Sequence, residues 1–76
     1  MKDFETIVEQ MLHIKKETIA DSLTPKDVPD WDSMNYLLFI AELEKEYGIT
    51  FTMDEVISAE TLGAVKEAVK NKGIAI

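Results

Sequence analysis

The sequence predicts an all-α fold, a small bundle of three main helices with a short extra helix third in the order. Three observations lead there. Apolar residues recur at helical spacing in three separate stretches. Residues that start and stop helices stand at the borders of those stretches. The one strand-like run, Ile49-Thr50-Phe51, has no second run to pair with, so it is expected as a loop that buries its apolar residues.

The first helix is announced by Phe4, Ile7, Val8, Met11 and Leu12, which follow the i, i+3, i+4, i+7, i+8 pattern. Asp3 is its candidate cap, and its end is expected between His13 and Lys16. Ile14 and Ile19 either extend the apolar stripe or sit in a loop that plugs the core. From Asp21 to Asp32 the chain reads as a loop, because Pro25 and Pro29 interrupt helix and Asp, Ser and Thr favour turns. The second helix is expected over Ser33 to Tyr47, with Gly48 as the residue that ends it. Thr52 with Glu55 three positions on forms a capping box for a short helix from Met53 to Ser58. Thr61 caps the last helix, which sets Leu62, Val65 and Val69 on one face, is slightly weakened by Gly63, and is expected to end at Gly73 ahead of a tail, Ile74 to Ile76.

Composition narrows the functional classes. At 76 residues the chain is expected to form one domain, 1–76, with a modest core. With 46% apolar residues it is expected to fold. It has no cysteine, which removes disulfides, thiolate metal sites and cysteine nucleophiles together. Fifteen acidic residues against eight basic ones give a net charge of −7. Nucleic acid and anionic membrane surfaces repel such a chain, and basic protein surfaces attract it; the same excess also keeps small domains soluble. No apolar run reaches membrane-spanning length, and Met1-Lys2-Asp3-Phe4-Glu5 does not open a signal peptide. A cytoplasmic monomer is expected.

The second helix has more apolar surface than one core face needs. At about 100° per residue with Ser33 at zero, Tyr36, Phe39, Ile40, Leu43 and Tyr47 cluster between roughly 240° and 340°, a core stripe. Met34, Leu37, Leu38 and Ala41 fall between roughly 40° and 140°, away from it. Beside Ser33 and rimmed by Glu44 and Lys45, these residues form a second apolar face, and an exposed apolar patch with a charged rim marks a binding surface. The alternative is a central helix buried on both sides. Leu38 fits either reading; Met34, Leu37 and Ala41 are assigned to the partner surface.

One of Asp32 and Ser33 caps this helix. If Asp32 does, Ser33 stands in the first turn with its hydroxyl toward solvent, where the helix dipole favours a phosphodiester on that oxygen. A hydrolytic nucleophile is disfavoured: His13 is the only imidazole, and no G-x-S-x-G elbow surrounds the serine. Asp30 and Asp32 match two positions of an EF-hand loop, but Met34, Asn35 and Ala41 occupy the next ligand, glycine and twelfth positions, so calcium is excluded. Trp31 is expected to close the core at the loop–helix junction.

Asp32-Ser33-Met34, followed by Leu37, Ile40, Leu43 and Tyr47, resembles the attachment motif and second helix of acyl carrier proteins, whose usual triplet is Asp-Ser-Leu. The stretch Leu43-Glu44-Lys45-Glu46-Tyr47-Gly48-Ile49 is similar to the family's acidic helix end and following turn. Val28-Pro29-Asp30-Trp31 resembles the lead-in of discrete carriers in specialised pathways. The resemblance covers nearly the whole chain and implies a four-helix bundle of the acyl-carrier type. It also implies that Ser33, beside Asp32, receives 4′-phosphopantetheine from coenzyme A through a phosphopantetheinyl transferase. The arm's thiol would then hold an acyl or aminoacyl group as a thioester, supplied by an acyl or aminoacyl ligase. Acyl-transferring enzymes with basic docking surfaces would meet Met34, Leu37, Ala41 and Glu44. Family side chains in the loop and the second and third helices also shelter cargo in the bundle. The chain departs from the fatty-acid carrier at Asn35 and Leu38, where that carrier has acids, and at Lys45, which interrupts the acidic helix end. The implied docking face is therefore less acidic and more apolar.

A second triplet, Asp21-Ser22-Leu23, has the commoner letters, yet Pro25 and Pro29 follow it and no amphipathic helix does. Ser33 is the expected site. The expected function is that of a carrier and not an enzyme; fatty acyl, polyketide, amino acid and hydroxy acid carriers share this architecture, and a peptidyl or D-alanyl-type carrier of amino acids is one alternative. The alternative is an unmodified helical module that binds a partner helix through the apolar face.

Overall fold

A computed structural model of the chain describes residues 2–76. Among them are four α-helices and no strand: α1 (Phe4–Leu12), α2 (Ser33–Tyr47), α3 (Met53–Ser58) and α4 (Leu62–Lys70). The all-α bundle expected from the sequence is present, with Ile49-Thr50-Phe51 as a loop that buries Phe51.

Each helix begins where a side chain can satisfy its first free amides. Asp3 accepts from Thr6 N at 2.8 Å, which holds its carboxyl below the ordinary range. Thr52 and Glu55 form the complete capping box of α3, and Thr61 accepts from Ala64 N at 3.1 Å. The ends differ from expectation in two places. α1 stops at Leu12, one residue short of the expected range, because His13 takes the left-handed conformation (φ 56°) and donates its N–H to Glu9 O. The chain then makes a single 3₁₀ turn over Lys16–Thr18, and Ile14 and Ile19 pack half-buried against the core as loop residues. α4 ends at Lys70, not at Gly73. Lys72 N and Gly73 N bond carbonyls three residues back, Val69 O at 3.1 Å and Lys70 O at 2.9 Å, so the ladder tightens into turns before the glycine. Ile74 and Ile76 are half-buried against the core.

The core is built on α1 and α2. Phe4 meets Phe39 edge-to-face, ring centroids 6.0 Å apart and planes at 61°. Ile7, Val8 and Leu12 of α1, Leu43 of α2 and Leu62, Val65 and Val69 of α4 complete a fully buried cluster. The long loop before α2 belongs to this core, for Val28 and Trp31 are both buried. The loop also completes α4. Leu62 N donates to Leu23 O and Gly63 N to Asp21 O, each at 2.9 Å, so loop carbonyls satisfy two amides that a helix start leaves unpaired. α3 buries no residue and lies against the outside. Among the described residues no helix is long and apolar enough to cross a membrane.

Candidate functional site

The site is organised by the first turn of α2. Asp32 is the cap: its Oδ1 accepts from Asn35 N at 2.8 Å and its carbonyl from Tyr36 N at 2.8 Å. Ser33 is therefore the first helical residue, exposed, with no capping duty left for its hydroxyl. The helix behind it is 15 residues long, and its dipole places partial positive charge at this end. The lead-in is held on both sides. Trp31 is buried and packs on Tyr36, ring centroids 5.8 Å apart. Asn35 Nδ2 donates to Asp30 O at 2.9 Å. Asp30 in turn meets His13 Nδ1 at 3.0 Å. His13 is thus engaged with Asp30 at the end of α1.

The apolar face expected beside Ser33 is exposed. Met34 is 72% exposed, Leu37 58% and Leu38 51%, and Ala41 is exposed with them. Leu38, which the helical wheel left open, therefore lies outside the core. Two residues of α3, Met53 at 69% and Ile57 at 70%, continue the apolar surface. Glu44 is half-buried, and its Oε2 accepts from Phe51 N at 2.8 Å. That oxygen fastens the loop after α2, a structural duty beside the docking one expected of it.

Between α2 and α3 runs a groove of about 870 Å³ that opens at Ser33. Trp31, Tyr36 and Leu37 line one side and Met53, Val56 and Ile57 the other. Tyr36 Oη donates to Val56 O at 2.8 Å, tying the two helices together across it. Burial pushes the Tyr36 phenol above its ordinary pKa, so the donating hydroxyl survives further into the alkaline range than an exposed phenol would. α3 is held at its other end by Lys72, whose Nζ lies 2.8 and 2.9 Å from the two Glu55 carboxylate oxygens and 5.3 Å from the Phe51 ring centroid. These hydrogen bonds, with that of Thr52 N, hold the Glu55 carboxyl below its ordinary range.

Sequence reasoning missed Tyr36 as a groove residue, because its wheel position on the edge of the core stripe is also where a side chain reaches the neighbouring helix. It missed Met53 and Ile57 because α3 is too short for a periodicity argument. Their apolar character, on a helix whose one core contact is Val56, was the available signal. The rival triplet lies elsewhere: Asp21 and Ser22 are exposed turn residues and Leu23 is half-buried.

Ser33 and the groove thus offer a free hydroxyl at a positive helix end, next to an apolar trough. A family model described as a phosphopantetheine attachment site matches residues 3–69. A search of curated proteins finds no match.

Proposed function

The chain belongs to the phosphopantetheine attachment-site family, which makes it a carrier domain and not a catalytic one, and from that premise we propose that Ser33 is the residue that bears the arm. The domain is the site of covalent 4′-phosphopantetheine attachment. The observation that carries the assignment is the division of labour at the start of α2. Asp32 satisfies the helix amides, and the exposed Ser33 is spared. A phosphodiester on Ser33 Oγ gains from the helix dipole. The residues present fit the group: an unencumbered hydroxyl, a rigid lead-in and a groove opening beside it. The arm supplies a thiol that this cysteine-free chain lacks, and that thiol holds acyl or aminoacyl groups as thioesters.

Carrier domains of this family meet phosphopantetheinyl transferases and acyl-handling enzymes. In this chain Met34, Leu37 and Ala41 are the contact residues and Glu44 the acid that meets a basic partner. The exposed Leu38 and the tied-back Asn35 and Glu44 make the face more apolar than acidic. That balance favours partners in a specialised biosynthetic pathway over a general fatty-acid synthase.

Intact mass spectrometry after treatment with a phosphopantetheinyl transferase and coenzyme A tests the site. The natural chain and Ser22→Ala gain the mass of the arm, and Ser33→Ala does not. Modification that survives Ser33→Ala and is lost in Ser22→Ala would reverse the assignment.

A further inference from the structure

The groove between α2 and α3 is apolar but shut toward the core. Its walls include Leu37, Met53 and Ile57, each more than half exposed, so this apolar surface lacks a protein cover. Its charged members, Lys26, Asp32 and Glu60, carry both signs, so the lining selects by apolar fit and not by net charge. Inward passage is blocked at Tyr36. Its ring packs at a tilt against Trp31, and its hydroxyl is fastened to Val56 O at 2.8 Å, in the middle of α3. On the core side of α2, Phe39 and Leu43 are fully buried.

We propose that Tyr36 is the specificity-determining residue of this groove, and that it restricts the cargo sheltered there to a compact apolar acyl group, short or aromatic, held outside the core. Such a group covers Leu37, Met53 and Ile57 and removes their apolar surface from water. A long straight chain has no path inward while the Tyr36–Val56 bond stands, and its remainder projects into solvent. Val56 packs half-buried against the core, and this bond, the capping box and Lys72 fasten the seam beside it.

The inference rests on attachment at Ser33, and one experiment separates the two. The transferase is given benzoyl- and dodecanoyl-coenzyme A, loading is confirmed by intact mass, and each thioester's cleavage by hydroxylamine is timed against the same thioester on free pantetheine. The benzoyl thioester is slowed about tenfold, as for a group docked roughly nine-tenths of the time, and the Trp31 emission shifts on loading. The dodecanoyl thioester is cleaved at close to the free rate. Tyr36→Phe, which keeps the ring and deletes the bolt, gains protection of the dodecanoyl group. Circular dichroism verifies that the variant is folded; if it is not, the two thioesters on the natural chain decide. Dodecanoyl protected as well as benzoyl on the natural chain, or benzoyl unprotected although the mass is present, overturns the inference alone. Absence of the added mass overturns the attachment reading and the inference with it.

Discussion

At Gly63 a side chain would collide with the loop that caps α4. A Cβ built there stands 2.8 Å from Asp21 Cβ and 3.0 Å from Asp21 O, and the backbone oxygen cannot swing away because Gly63 N bonds it at 2.9 Å. Helix propensity alone favours alanine here by up to about 1 kcal/mol. The overlap opposes it at about 1–3 kcal/mol, typical of overpacking. Gly63→Ala is therefore expected to lower stability by about 1–2 kcal/mol in a urea titration, and a stabilised variant would show that the loop yields. The sequence displayed this glycine only as a weak spot in a helix. Its purpose depends on a residue 42 positions earlier, and no periodicity connects the two. Asn35 is similar. Its difference from an acidic residue was visible as a change of charge, while the bond to Asp30 O that steadies the approach to Ser33 required the loop's path.

Among the elements, α3 is the most dependent on polar fastenings. Its Glu55 serves the capping box and the Lys72 ion pair together. Because the folded carboxyl titrates below its ordinary range, first through Lys72 and then through Thr52 N–H, its contribution is present above the unfolded pKa and is lost as pH falls through the folded one. A proton-detected titration of Glu55 is expected to show this depressed value in the natural chain and an upward move in Lys72→Met. An unchanged value would mean that the capping hydrogen bond alone sets it. The element boundaries of α2 and α3 were legible in advance because local chemistry writes them: Asp32 and Gly48 bracket one, Thr52 and Glu55 open the other. The ends of α1 and α4 were not. His13 adopts a left-handed conformation that favours glycine or asparagine, and α4 unwinds through turns before its glycine arrives.

Taken as a whole molecule, the bundle depends on a few large side chains shared by α1 and α2. Phe39 is fully buried and is the partner of Phe4. Phe39→Ala is expected to cost about 3–5 kcal/mol, a large part of the stability of a domain this small; a denaturation midpoint near that of the natural chain would mean the core can collapse around the gap. The same packing fixes the molecule's two poles. Lys2 N donates to Glu46 Oε1 at 2.6 Å and Tyr47 Oη to Lys2 O at 2.9 Å, so Lys2, just ahead of α1, is strapped to the C-terminal end of α2. Ser33 stands at the opposite end of that helix, about 21 Å away at 1.5 Å per residue. A solid support that grips the molecule at Lys2 therefore sits at the antipode of Ser33, and an immobilised molecule presents that serine outward to whatever enzyme is passed over it.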